Sequence, residues 1–131
     1  MAVTGLDHVN IRCRPADLPA LRRFWGEVVG LFEGARPDFD FPGIWFWSGA
    51  RPVVHIAARA KDSDPWPPAD HGAFGHVAFR AEGLEETRAR LAALGVAFRE
   101  APVPGFPLHQ IFLQDPTGIT VELTFAEMPK G

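Results

Sequence analysis

The chain repeats itself, and that repeat constrains the fold more than any other feature of the sequence. Leu6 to Arg12 (LDHVNIR) returns as Phe74 to Arg80 (FGHVAFR), 68 positions on, from 8 to 76. Ser48 to His55 (SGARPVVH) returns as Asp115 to Glu122 (DPTGITVE), 67 positions on, from 55 to 122. A repeat of this length means one supersecondary unit used twice. At 131 residues the chain is long enough for one sizeable core and too short for two independent ones. We therefore read one domain made of two modules: module one over 5–59, a linker over 60–72 and module two over 73–126.

Each module reads as strand, helix, strand, strand, strand. Residues 5–13 alternate as a strand, with Val9, Ile11 and Cys13 on one face and Leu6, His8, Asn10 and Arg12 on the other. A helix over 18–29 follows, with Asp17 as N-cap, Pro19 in the first turn and Gly30 at the end. Leu21, Phe24, Trp25 and Val28 recur at helical spacing. A short strand over 31–33 precedes a hairpin of 44–48 and 53–58. Residues 60–72 are polar and proline-rich. Module two starts with a strand over 75–80, then an amphipathic helix over 84–94 closed by Gly95. A short strand over 96–99 and a proline-rich loop over 100–107, a lid candidate, come next. The module ends in a hairpin of 108–114 and 119–125 across Asp115-Pro116-Thr117-Gly118. The fold class is α+β: two βαβββ modules in tandem with pseudo-twofold symmetry, their curved mixed sheets lying around a cavity.

Alternation carries the functional argument. Val121, Leu123 and Phe125 share one face of the last strand, and Glu122 stands on the other, where a lone buried carboxylate would be costly. The repeat matches His8 to His76 and His55 to Glu122. Paired modules would bring these four residues together, and three imidazoles with one carboxylate are what Zn, Fe, Mn, Ni and Co prefer. The same faces carry Trp45, Trp47, Gln110, Phe112, Gln114, Asn10 and Arg12, with Ala78 and Arg80. That is the composition of a small-molecule pocket, and Trp45, Trp47, Phe112, Gln110, Asn10 and Arg12 are its candidate substrate-binding residues. His71 and His109 read as surface or loop residues without a role.

A net charge of −3 and the lack of a Lys/Arg cluster speak against nucleic acid. No apolar run approaches the ~18 residues of a membrane span, and the N-terminus lacks a signal-peptide pattern. The single cysteine, Cys13, reads as a packed thiol in a reducing cytoplasm.

The chain resembles the vicinal oxygen chelate superfamily, which includes glyoxalase I, extradiol dioxygenases, fosfomycin-resistance proteins, methylmalonyl-CoA epimerase and bleomycin-resistance proteins. The resemblance rests on Leu6-Asp7-His8-Val9, on Phe24 to Leu31 (FWGEVVGL), on Gly75-His76-Val77-Ala78, and on Asp115-Pro116-Thr117-Gly118 leading to Glu122-Leu123. It implies that His8, His76 and Glu122 are ligands of one divalent metal ion, as in the 2-His-1-carboxylate members. His55 stands where glyoxalase I has a glutamate, the epimerase a glutamine, and the dioxygenases usually no ligand.

The implied function is a metal-dependent enzyme in which the metal chelates neighbouring oxygens of a small substrate as Lewis acid, with Glu122 as ligand and catalytic base. A glyoxalase-like lyase or isomerase and an extradiol-type dioxygenase both stay open. The alternative is a non-catalytic, drug-sequestering protein of the bleomycin-resistance type. Small members of this kind form homodimers, and a closed pair is the expectation here.

Overall fold

The computed structural model describes residues 1–130. It divides the chain into two compact units, Met1–Asp64 and Pro65–Gly131.

In the first unit, β1 (Val9–Arg12), β2 (Phe32–Gly34), β3 (Gly43–Ser48) and β4 (Arg51–Ala57) form one sheet in the order β1-β4-β3-β2. β1 runs parallel to β4, and the other pairs are antiparallel. Ile11, Ile44, Phe46, Val54 and Ile56 fill one face and are buried. The helical segment between β1 and β2 supplies Leu21, Phe24, Trp25 and Val28, also buried. Cys13 is buried as well.

That segment is not one α-helix. It is a 3₁₀ turn (Pro15–Asp17), a short α1 (Leu18–Arg23) and a π turn (Phe24–Val28). The Val29 N–H reaches back to the Phe24 carbonyl at 2.9 Å. Gly26, at the centre of the π turn, faces the Phe46 ring, and a Cβ there would meet it at an ordinary contact distance of 3.6 Å. Asp17 does not cap the helix with its side chain. Its carboxylate instead accepts three bonds from Arg14, from the backbone N–H and two guanidinium nitrogens, each at 3.0 Å. β1 is also shorter than its alternation promised, and His8 precedes it.

In the second unit, β5 (His76–Ala81), β6 (Arg99–Pro102), β7 (His109–Gln114) and β8 (Thr120–Phe125) follow the same plan in the order β5-β8-β7-β6. β5 is parallel to β8, and the other pairs are antiparallel. α2 (Leu84–Ala93) buries Leu84, Thr87 and Leu91. Glu127 starts this helix from far along the chain: its carboxylate accepts the N–H groups of Gly83 at 3.1 Å and Leu84 at 2.6 Å.

Two expectations shift here. The strand placed at 96–99 lies at Arg99–Pro102, because pairing begins where Arg99 meets Phe112 and ends where Pro102 meets His109. Residues 100–102 therefore belong to a hairpin, and 103–107 form its tip, closed by the Val103 N–H on the Leu108 carbonyl at 3.0 Å. His109 is not a surface residue. It opens β7, is buried, and lies 3.4 Å from Glu100, which Arg88 of α2 holds by two bonds at 3.1 and 2.6 Å. The helix covers this face of the sheet, so a residue on it is enclosed whatever its polarity. His71 lies in the loop before β5 and donates to the Thr117 carbonyl at 2.9 Å.

The two registers repeat as the sequence does. Asn10 pairs His55, and His55 pairs Trp45. Ala78 pairs Glu122, and Glu122 pairs Phe112. The Asp115-Pro116-Thr117-Gly118 turn fixes the second row. Asp115 Oδ1 accepts from Thr117 N at 2.8 Å, Thr117 Oγ1 at 2.7 Å and Ile119 N at 3.0 Å. Gly118 has φ of 88°, a conformation that favours glycine.

Candidate functional site

Each unit presents one sheet face that its helices leave uncovered, and the polar residues singled out by alternation stand on these faces.

In the first unit three rings stack across the sheet. Trp45 lies 3.7 Å from His55 at 9°, and His55 lies 3.8 Å from His8 at 14° between ring planes. His55 is buried, and its Nε2–H donates to the Pro52 carbonyl at 3.0 Å. A carbonyl can only accept, so the proton sits on Nε2 and the lone pair of neutral His55 on Nδ1. Burial first, and the neighbouring His8 second, hold this imidazole below its ordinary pKa. His8 differs. Its Nδ1 donates to Asp7 Oδ1 at 2.8 Å, which leaves Nε2 as the open nitrogen. That bond holds the Asp7 carboxyl below its usual value.

Trp47 lies on the same side. A Cβ on Gly34 would stand 2.7 Å from its indole, so the glycine makes room for the ring. The indole N–H donates to the Ala35 carbonyl at 3.1 Å. Asn10 and Arg12 are exposed and, with Phe41, Ala57 and Arg59, line a cavity of about 400 Å³. Arg59 lies over the Phe41 ring at 4.8 Å.

In the second unit Glu122 is buried in the middle of its sheet. It meets His76: Nε2 of the half-exposed imidazole lies 2.9 Å from Glu122 Oε2. This bond answers the cost of burying the carboxylate. Phe112 is the cross-strand neighbour of Glu122, and Gln110 stands one pair further along, opposite Thr124. Sequence reasoning missed Arg99, whose guanidinium covers the Phe112 ring at 4.1 Å. Its strand was read without a pairing register, so nothing set Arg99 opposite Phe112.

The structure thus brings His8, His55 and Trp45 together in one unit, and His76 and Glu122 in the other. Among the described residues, no group of three or more His, Cys, Asp or Glu side chains is gathered to hold a metal ion. As a pair, His76 and Glu122 do suit one. Two donors bound about 2.1 Å from one ion at right angles stand about 3 Å apart, which is their separation here. His55 likewise keeps one donor nitrogen, Nδ1, while its bond to Pro52 and the rings of Trp45 and His8 on its two faces fix its plane.

Tandem four-stranded mixed sheets, each with a paired polar row on its open face, define the class. The chain belongs to the Glyoxalase/Bleomycin resistance protein/Dioxygenase superfamily, whose family model matches residues 5–123. No curated protein matches the chain. Among solved structures it is similar to a glyoxalase-family protein from Bacillus anthracis, with TM-score 0.74 and 23% identity over 95% of this chain and 97% of that one. It is also similar to lactoylglutathione lyase from Agrobacterium tumefaciens, with TM-score 0.67 and 20% identity over 95% and 96%. A third likeness is to TnmS3, an antibiotic-binding protein from Streptomyces sp. CB03234, with TM-score 0.67 and 17% identity over 95% and 98%. At these identities the likeness concerns the fold. Among the described residues, no helix is long and apolar enough to cross a membrane.

Proposed function

We propose that the protein is a divalent-metal-dependent enzyme acting on a small oxygen-bearing substrate, with His76, Glu122 and His8 as metal ligands. The carrying observation is the 2.9 Å approach of His76 Nε2 to the buried Glu122 Oε2. A cation would take the place between these two atoms, and His8, which the repeat matches to His76, keeps Nε2 open in the first unit. When bound, an Fe, Mn, Ni, Co or Zn ion supplies Lewis acidity towards neighbouring substrate oxygens.

The remaining roles belong to the chain. The Glu122 carboxylate accepts a proton from the substrate, and burial keeps bulk water from competing for it. Trp45 and Phe112 supply flat apolar surface, and Gln110, Asn10 and Arg12 orient polar groups. Asp7 fixes the tautomer of His8. His55 is a platform that sets the plane of the His8 ring, and Asn10 is its cross-strand neighbour. A glyoxalase-like lyase or isomerase reaction and a ring-opening dioxygenation both suit this arrangement. The protein works in the cytoplasm as a homodimer.

A second reading has its own observation. The Trp45–His55–His8 stack is an aromatic shelf that needs no metal, and it suits a protein that sequesters flat molecules. Elemental analysis of the purified protein separates the two. The first reading expects about one tightly held metal per chain, lost in His76→Ala and His8→Ala. Protein without metal after dialysis against each of the five ions, yet binding aromatic compounds with quenching of tryptophan fluorescence, would establish the second.

A further inference from the structure

A groove of about 520 Å³ opens on the second unit between the approach to β6 and the ends of β7 and β8. Its lining includes Phe98, Arg99, Phe112, Gln114 and Thr120, with no acidic side chain. The Arg99 guanidinium carbon lies over the Phe112 ring, 4.1 Å from its centroid. A guanidinium held over a ring face keeps its N–H groups available to a planar anion. The neighbouring carboxylate in the sequence, Glu100, is held by Arg88, and among the described residues Arg99 has no ion-pair partner. Arg99 pairs Phe112, which pairs Glu122, so the cation and the buried carboxylate stand in one cross-strand row. Two strand spacings separate them, roughly 10 Å between backbones.

We propose that Arg99, held over Phe112, anchors a carboxylate of the substrate, with Gln114 and Thr120 as further hydrogen-bonding groups. The substrate class is then an organic acid whose carboxylate is set apart from its reacting oxygens by a spacer the size of a ring. Such a spacer would lie along the Phe112 wall, between the guanidinium and Glu122. The charges explain the spacing: an anion next to Glu122 is repelled, and one displaced by two strands meets a cation instead. This assignment deepens the proposed function and rests on it for the word substrate, while the anion site itself does not need a metal.

The test uses the full chain stripped of metal with EDTA and two probes of like shape, benzoate and the neutral benzamide. Binding is followed by two-dimensional ¹H–¹⁵N NMR, including the Arg99 side-chain Nε–H. We expect benzoate to bind at least about tenfold more tightly than benzamide, shifting Arg99, Gln114 and Thr120. Arg99→Gln should lose that preference and Arg99→Lys should keep part of it, each with an unchanged circular dichroism spectrum. Equal affinities for the two probes, an unaffected Arg99→Gln, or shifts confined to other residues would overturn the assignment. Metal content of Arg99→Gln separates the two proposals. A metal-loaded protein that does not distinguish the probes removes this inference alone. A metal-free protein that does distinguish them removes the metal and leaves the anion site standing.

Discussion

Asp115→Ala tests the device that places Glu122. One oxygen, Oδ1, accepts three bonds of 2.7 to 3.0 Å, and both Asp115 and Thr117 are buried. Hydrogen bonds to a charged acceptor contribute about 1.5–3 kcal/mol each. The plain sum overshoots, because Ile119 is half-buried and water can reach its N–H once the turn loosens. The amide and hydroxyl of Thr117 keep most of the cost, so the loss is about 3–4 kcal/mol. Against a typical total of ~5–15 kcal/mol this is a large fraction. Asp115→Asn keeps an acceptor oxygen in place and should cost about half as much. Urea unfolding followed by circular dichroism reads the effect. With a slope near ~2 kcal/mol/M, the Asp115→Ala midpoint should fall by about 1.5–2 M at unchanged slope. A fall below about 0.3 M would refute the reasoning, because Pro116 and Gly118 alone would then be holding the turn.

Other outcomes follow from single residues. His55→Phe keeps a ring in the Trp45–His8 stack and should retain metal, whereas Glu122→Gln should lose it; elemental analysis reads both. A Cβ added at Gly43 would stand 2.3 Å from the Ile56 carbonyl oxygen, so Gly43→Ala should cost about 1–3 kcal/mol in the same urea assay. The Glu127 carboxyl is held below its ordinary value, first by the Leu84 N–H and then by Gly83. A depressed carboxyl stabilises the fold above its unfolded value and ceases to do so as pH falls through the folded one. The melting temperature of the wild type should therefore approach that of Glu127→Gln as pH drops from 7 to below the ordinary carboxyl range, and a constant gap would contradict this.

The sequence made the rows of the two sheets legible and left the rings on them unread. A two-residue period tells which face a strand residue takes, and a repeat tells which strand lies beside it. Alternation put Asn10 on the face of His8 and Ala78 on the face of His76; that Asn10 pairs His55 and Ala78 pairs Glu122 is seen only in the sheets themselves. Neither the period nor the repeat carries χ angles, so the stacking of His55 between Trp45 and His8 could not be seen, nor the proton its Nε2 gives to Pro52. His109 escaped because its enclosure comes from α2, through Arg88 and Glu100, and polarity alone argues for the surface. Arg99 escaped because the short strand that holds it came without a partner register, so nothing set it opposite Phe112. The π turn has no periodic mark of its own, since Phe24, Trp25 and Val28 also suit an α-helix.

Glu127 holds the start of α2 from 44 positions beyond Gly83 and 43 beyond Leu84. On the ribosome, α2 is therefore made long before its cap. Until the strand that ends at Phe125 has been laid beside β5, the first amides of α2 must rely on water, and the helix has little to fix where it begins. Closing the second unit is then a late, non-local event, of the kind that slows folding.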